Sequence, residues 1–212
     1  MVVKYLTDYL CDRLNNTNSL PSFRAGLHEV ASCLSVIVTW EHFPPGEAIS
    51  VASAIFSLSR ETRFKDLKPA ARQTLYLLVE TLLRSRGKAL LKASTIPELV
   101  RGLVTLAEFE KTPACLEVLF NLYTYLSKDW DLEAEEFQAL WGSFSRYWPV
   151  TVGGSREQVS KPTSEELRDL LLQCILSNDS YAKNAIPMCL EKLDTTQDLS
   201  ATTKVRTQLN LS

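Results

Sequence analysis

LYLLVETLL, at residues 75–83, is the stretch that decides the fold class of this chain. Its apolar side chains are spaced i, i+3, i+4, i+7 and i+8, at Leu75, Leu78, Val79, Leu82 and Leu83. These positions share one face of an α-helix, and they do not follow the alternation of a β-strand. The stretch therefore predicts a helix with one buried face.

The same spacing recurs in four later segments. Their apolar stripes are Ile96, Leu99, Val100, Leu103 and Ala107; Leu116, Leu119, Phe120 and Tyr123; Phe137, Leu140, Trp141, Phe144 and Trp148; and Leu167, Leu170, Leu171 and Cys174. No stretch alternates convincingly as a strand would. The sequence predicts an all-α protein.

The helices are arranged as about five consecutive hairpins. The first helices of these hairpins open near residues 2, 44, 95, 132 and 180. A spacing of roughly 40–50 residues is typical of two-helix solenoid repeats, in which each hairpin buries its apolar face against its neighbours. We expect an α-α superhelix of the HEAT or armadillo type, and an irregular all-α bundle is the alternative.

Proline and capping residues mark where the predicted helices begin. Pro69 and Pro113 open helices in first-turn positions, where a missing backbone N–H costs nothing. Residues 43–46 (Phe-Pro-Pro-Gly) are a stop, followed by Glu47 at a helix amino end. Thr95 with Glu98, and Thr163 or Ser164 with Glu166, are typical of capping boxes. Residues 18–21 (Asn-Ser-Leu-Pro) are expected to separate the first two helices.

The long connector at about residues 150–162 is polar and contains Gly153-Gly154-Ser155. We interpret it as a surface loop between the two helices of the fourth hairpin, so residues 1–212 form one solenoid segment. In the fifth hairpin, Pro187 should bend its helix. The turn residue Asp194 and the later Arg206 follow the HEAT pattern, in which such an aspartate can reach a basic residue of an adjacent repeat.

Bulk composition limits the environment and the class of function. The chain has 212 residues, a net charge of −2 and 45% hydrophobic residues. Its five cysteines are scattered and lie mostly in apolar stripes, which fits a reducing compartment. The amino end lacks the pattern of a signal peptide, and no apolar run is long enough to cross a bilayer. We expect a cytoplasmic and nuclear protein without membrane contact.

Residues suited to catalysis are few. His28 and His42 are the only histidines, and neither C-x-x-C nor H-x-x-x-H spacing occurs. Residues 85–89 only superficially resemble a phosphate loop, because the upstream glycine, the following Ser/Thr and the preceding strand are missing. We expect no enzymatic activity, metal site or cofactor. An enzyme completed by residues beyond this segment remains the alternative, and His28 or His42 beside a carboxylate in a deep pocket would support it.

Positive charge is concentrated between residues 60 and 92. This stretch holds nine Lys and Arg residues against three Asp and Glu residues. The candidate docking residues fall into two groups, one at Arg60, Arg63, Lys65 and Lys68 and the other at Arg84, Arg86 and Lys88. They are either solvated helix ends or a docking surface for an acidic partner or nucleic acid. No interleaved aromatic residues support nucleic acid.

Four aromatic residues could form a partner hot spot: Trp130, Trp141, Tyr147 and Trp148. Trp141 and Trp148 share a stripe with Phe137 and Phe144, so we expect them in the core. Trp130 lies in a predicted turn, and we expect it to be the exposed member.

Five segments resemble, in order and at similar separations, the start of one eukaryotic HEAT-repeat family. They are residues 44–56, 72–76, 126–132, 147–150 and 186–194. The family consists of the large adaptors of the cytosolic iron–sulfur assembly (CIA) targeting complex, which are linked to methyl-methanesulfonate sensitivity, nucleotide excision repair and TFIIH. The resemblance covers nearly the whole chain.

The resemblance implies an adaptor that helps deliver iron–sulfur clusters to apoproteins of DNA replication, repair and transcription. The implied partners are CIA subunits, iron–sulfur apoproteins and TFIIH-type assemblies, with no direct nucleic acid. Family members carry further repeats before and after this stretch, so residues 1–212 resemble an amino-terminal segment of a longer protein. Family contacts are associated chiefly with the carboxyl-terminal repeats, so no binding residue is carried over. An unrelated HEAT or armadillo scaffold for transport or trafficking is the alternative.

Overall fold

The protein consists of helices stacked in two layers. Its computed structural model describes residues 2–15, 26–61, 64–92, 96–148, 150 and 162–191. Side chains at residues 59–61 and 92 are not described. The helices are α1 Val2–Asn15, α2 Leu27–Ile37, α3 Pro45–Glu61, α4 Pro69–Lys92, α5 Ile96–Leu106, α6 Pro113–Asp129, α7 Ala134–Phe144, α8 Ser164–Ile175 and α9 182–191. Short 3-10 turns occur at Phe64–Asp66, Ser145–Tyr147 and Asp179–Tyr181.

Each layer is a row of helices in chain order. In one layer α1 packs against α3, α3 against α5, α5 against α7, and α7 against the Asp179–Tyr181 turn that leads into α9. In the other layer α2 packs against α4, α4 against α6, and α6 against α8. This alternation defines a two-layer α-solenoid and confirms the predicted fold class. Across the described ranges every regular element is helical.

The first helices of the hairpins begin at residues 2, 45, 96, 134 and 182, close to the predicted positions. Pro69 and Pro113 are each the first residue of a helix, as predicted, and the helix after the Pro44-Pro45 stop already begins at Pro45. The capping box before α8 is also confirmed, because Thr163 Oγ1 accepts a bond from the Glu166 N–H at 3.2 Å. In return, the Thr163 N–H donates to the Glu166 carboxylate at 2.7 Å.

Several sequence predictions fall outside the described residues. They are the break at residues 18–21, the Thr95 cap, the glycine-containing part of the loop at residues 151–161, and the Asp194–Arg206 relation. The two helices that flank the loop, α7 and α8, are where the prediction placed them. Helix α9 continues through Pro187.

The core lies between the two layers and contains the stripes that the spacing predicted. Leu75, Leu78, Val79, Leu82 and Leu83 are all buried. Three of the five cysteines, Cys11, Cys115 and Cys174, are buried as well, whereas Cys33 and Cys189 are exposed. None of the described helices combines the length and apolar character needed to span a bilayer.

Buried tyrosines connect different repeats by hydrogen bonds. The Tyr76 hydroxyl on α4 donates to the Leu106 carbonyl at the end of α5, at 3.1 Å. The hydroxyls of Tyr123 and Ser143 lie 2.8 Å apart, and those of Ser127 and Tyr181 lie 2.7 Å apart. Each pair joins side chains from different repeats inside the core. Such bonds fix the register of stacked helices, because a buried hydroxyl without a partner is costly.

Candidate functional site

A groove of about 570 Å³ lies near the carboxyl end of α4 and is the strongest candidate for a docking site. Its walls include the predicted residues Arg84, Arg86, Lys88 and Trp130, together with Gly87 and Tyr125. The volume is in the range of cavities that hold compact ligands. The structure thus brings the second basic group and the tryptophan together, although 42 positions separate Lys88 from Trp130 in the chain.

The floor of the groove follows from helical spacing on α4. Arg84, Gly87 and Lys88 are spaced i, i+3 and i+4, so they share one face of the helix. Trp130 follows the last residue of α6, and its backbone N–H donates to the Leu126 carbonyl at 3.2 Å. Because Gly87 has no side chain, the indole can approach α4 closely, and a β-carbon at Gly87 would lie 3.2 Å from Trp130 Cζ2.

The prediction that Trp130 is exposed is wrong, since only 6% of this residue is accessible. Its neighbours in sequence are polar, but the bare surface of Gly87 gives the indole a packing site on another repeat. Trp141 is buried as predicted, and Trp148 is partly buried against the core. Trp130 is therefore part of the wall of the groove and does not project into solvent.

Arg84 lies on an aromatic face. Its guanidinium carbon is 4.5 Å from the centre of the Tyr125 ring, and its Nε donates to the Glu80 carboxylate at 2.9 Å. About half of the Arg84 side chain, 49%, remains exposed. These two contacts restrict the guanidinium while leaving it accessible, which lowers the entropic cost of binding an anion.

Arg86 has a structural role in the same wall. Its Nε donates to the Val38 carbonyl at 2.7 Å, and its Nη2 donates to the Trp40 carbonyl. The guanidinium also lies over the Phe43 ring, 5.3 Å from the centre. These carbonyls follow the end of α2, where backbone acceptors have no helical partner and a cation is favoured. Arg86 thus joins the first repeat to α4, whereas Lys88 is exposed.

The first basic group does not share this groove. Lys65 and Lys68 are exposed at the opposite end of α4, and Lys65 Nζ lies 5.4 Å from the centre of the Phe109 ring. At 1.5 Å per residue, the helix separates Lys68 from Arg84 by about 24 Å. The side chain of Arg60 and all of Arg63 lie outside the described residues.

A buried ion pair between α4 and the start of α6 was not predicted from the sequence. Arg72 Nε and Nη2 donate to the two carboxylate oxygens of Glu110, at 2.8 and 3.0 Å. The Thr112 N–H donates to the same carboxylate at 2.8 Å, and Tyr76 approaches it at 3.4 Å. Only its place just before Thr112-Pro113, at a helix start, could have singled out Glu110.

The electrostatics of Glu110 follow from these contacts. Burial alone would raise the pKa of this carboxyl, since it disfavours the charged form. The hydrogen bonds from Arg72 and the Thr112 backbone outweigh burial, so the net pKa of Glu110 is lowered. The side chain of Glu110 is fully buried, and its oxygens are engaged by protein donors. This arrangement fixes the junction between two repeats.

Neither histidine is among the residues that line the groove. Both are exposed, and His28 Nδ1 lies 2.7 Å from the Thr74 hydroxyl. No three His, Cys, Asp or Glu side chains are grouped to hold a metal ion in the described ranges. The features with a defined geometry are thus the stacked repeats, their polar junctions and the basic groove.

These features define an α-solenoid segment, a class of protein whose extended helical surfaces serve as platforms for other molecules. A family model described as "Dos2-interacting transcription regulator of RNA-Pol-II" and named for the MMS19 amino-terminal region matches residues 1–208. The chain belongs to this family, in agreement with the resemblance found in its sequence motifs.

Two curated relatives carry the same family name. An MMS19 nucleotide excision repair protein of Drosophila melanogaster is 25% identical over 99 residues, which cover 46% of this chain and 10% of the relative. An MMS19 nucleotide excision repair protein homolog of Arabidopsis thaliana is 24% identical over 181 residues, which cover 84% of this chain and 16% of the relative. The chain spans at most about a sixth of these relatives. Nothing among the solved structures matches it.

Proposed function

We propose that this chain is a protein-binding segment of an adaptor that supports the delivery of iron–sulfur clusters to apoproteins of DNA replication, repair and transcription. The observation that carries the proposal is the family match over residues 1–208 of a chain folded as a solenoid. The relatives are named for nucleotide excision repair, and the family description names transcription regulation. The iron–sulfur role rests on the resemblance of the five sequence motifs.

The segment contributes surface to this function, and we infer no chemical step for it. A stack of hairpins presents helix ends and inter-repeat grooves along its length, so several partners can bind side by side. The proposed partners are CIA targeting-complex subunits, iron–sulfur apoproteins and TFIIH-type assemblies. The cluster is cargo in this scheme, and the proposed locations are the cytoplasm and the nucleus.

The proposal is tested by iron incorporation in cells. The full-length protein that contains this segment is depleted, and cells are resupplied with the full-length protein or with one lacking residues 2–191. Radioactive iron is then measured in an immunoprecipitated iron–sulfur DNA repair enzyme. We expect full-length protein to restore incorporation and the deletion to restore less.

A mitochondrial iron–sulfur protein is the matched control, because its cluster is assembled in another compartment and its iron content should not change. Unchanged iron in the DNA repair enzyme after depletion would refute the delivery role. Affinity capture that recovered transport or trafficking complexes in place of iron–sulfur assembly proteins would favour the alternative scaffold.

A further inference from the structure

The groove formed by α4 and the end of α6 carries more positive charge than its role in packing requires. Arg84, Arg86 and Lys88 line it, against Asp129 in the lining and Glu80, which pairs with Arg84 at 2.9 Å. The helix dipole favours cations in the last turn of α4, which ends at Lys92, and it reaches back about as far as Lys88. It does not explain why Arg84 is held on Tyr125 next to a concave surface, with half of its side chain accessible.

We propose that this groove is a docking site for an acidic peptide segment of a protein partner. Arg84 and Lys88 would bind two carboxylates of the segment, while Trp130, Gly87 and Leu91 supply the apolar part of the wall. The inference rests on the proposed protein-binding role of the chain and assigns it a specific surface and a specific partner chemistry.

Charge complementarity and spacing support this occupant. The two cations are spaced i, i+4 on one helical face, so their side chains emerge roughly 6 Å apart. Alternate side chains of an extended peptide point the same way and are about 6–7 Å apart, since each residue advances the chain by about 3.3 Å. An extended acidic segment can therefore present carboxylates to Arg84 and Lys88 together.

Nucleic acid fits the same groove less well. Single strands bind where bases can stack on open aromatic faces along a continuous basic track. Here the Tyr125 ring is covered by Arg84, and Trp130 is 94% buried against its neighbours, since only 6% is accessible. The other basic group lies at the far end of α4, about 24 Å away along the helix. The residues that line the groove thus offer a short cationic site without an open aromatic face for stacking.

Direct binding to a defined probe tests the proposal. The probe is a fluorescein-labelled octapeptide of alternating Asp and Glu with one central leucine, titrated with the full 212-residue chain at low salt and followed by anisotropy. Its neutral control replaces Asp and Glu by Asn and Gln. We expect the acidic probe to bind, the neutral one not to bind, and affinity to fall as salt is added, because exposed charge contacts are screened.

Variants with equal changes in net charge locate the site. Arg84→Glu with Lys88→Glu should weaken binding about tenfold or more, because both changes place repulsive charge in the groove. Arg101→Glu with Arg168→Glu, at exposed positions on α5 and α8, is the matched control and should change the affinity less than about twofold. Lys88→Glu alone keeps the contacts of Arg84 with Tyr125 and Glu80. If the double variant unfolds, the affinity of this single variant for the acidic peptide tests the site instead.

Several results would overturn the proposal. They are absence of binding at low salt, equal weakening by groove and control variants, a larger effect of Lys65→Glu with Lys68→Glu, and tighter binding of single-stranded DNA than of the peptide. Self-association abolished by the groove variant would assign the surface to a second copy. The assay measures peptide binding alone. Absence of peptide binding would therefore contradict the groove proposal without contradicting iron delivery in cells, and a failure of iron delivery would not contradict peptide binding.

Discussion

Arg72 and Glu110 form a two-point ion pair across the junction of the second and third repeats. The guanidinium donates through Nε and Nη2 to both carboxylate oxygens, at 2.8 and 3.0 Å. Only 12% of the Arg72 side chain and none of the Glu110 side chain is accessible to solvent. The pair links α4 directly to the start of α6, and so couples neighbouring helices of one layer through charge as well as apolar packing.

We expect Glu110→Gln to lower the free energy of unfolding by about 2–4 kcal/mol, because it leaves the Arg72 charge buried without its counter-ion. Urea unfolding followed by far-UV circular dichroism measures this change. The matched control is Glu80→Gln, which removes the partly buried partner of the half-exposed Arg84 on the same helix and should cost less than about 1 kcal/mol. Equal losses in the two variants would contradict a special role for the buried pair.

The Glu110 carboxyl should make the free energy of unfolding depend on pH in the acidic range. Because the pKa of Glu110 is lowered below its ordinary value of 4.5, the folded state holds this proton less tightly than the unfolded state does. The stabilisation is then complete above pH 4.5 and is lost as the pH falls through the lower folded-state pKa. We expect the stability difference between the wild type and Glu110→Gln to be constant near neutral pH and to shrink in acid. A difference that grew in acid would reverse the assigned direction of the pKa shift.

Two helical glycines should respond in opposite ways to replacement by alanine. A β-carbon at Gly102 on α5 would lie 2.6 Å from Phe56 Cδ2 on α3, so Gly102→Ala should destabilise the stack by about 1–3 kcal/mol through overpacking. Gly142 on α7 has nothing within 4 Å of that position, so Gly142→Ala should stabilise by up to about 1 kcal/mol through helix propensity.

Thermal and urea unfolding of these two alanine variants test the prediction. The smaller side chain of Phe56→Leu should partly rescue Gly102→Ala, since it relieves the contact between α3 and α5. A stabilising effect of Gly102→Ala in the wild-type background would show that the two helices are not in close contact at this point.

The five cysteines should divide into two reactive and three protected thiols. Burial raises the pKa of Cys11, Cys115 and Cys174 to about 12 each, and the thiolate is the reactive form. Cys33 and Cys189 are exposed. We expect N-ethylmaleimide to label Cys33 and Cys189 rapidly in the folded protein, with site assignment by peptide mass spectrometry.

Labelling in denaturant is the control for the thiol prediction, and it should reach all five cysteines at similar rates. Rapid labelling of Cys174 in the native state would contradict the structure, which buries its thiol and hydrogen-bonds it to the Phe120 carbonyl at 3.1 Å.

Local signals in the sequence were sufficient for the helices and their order. The stripe from Leu75 to Leu83 requires only the helical period, and Pro69 and Pro113 act within one turn of their own helices. Repeat spacing then predicted the stacking, because hairpins of similar length can bury their apolar faces only against one another. The family resemblance agreed with this architecture and with the profile match over residues 1–208.

Features that depend on two distant segments were not predicted. Trp130 was expected to be exposed because its sequence neighbours are polar. It is buried, because its indole packs against Gly87 on another repeat, where no side chain is in the way. Arg86 was expected either at a solvated helix end or in a docking surface, yet it donates to the Val38 and Trp40 carbonyls. Neither relation has a periodic or local signature in the chain.

The sequence by itself determined the all-α class, the hairpin order, the buried stripes and the separation of the basic residues into two groups. These follow from side-chain periodicity and capping, which act over at most a few helical turns. Only the tertiary structure decided which cations are exposed, which are used within the fold, and that Arg84, Lys88 and Trp130 share one groove. The reason is physical: burial and charge pairing depend on atoms brought together across repeats, and the local sequence around each residue does not specify which side chain it meets there.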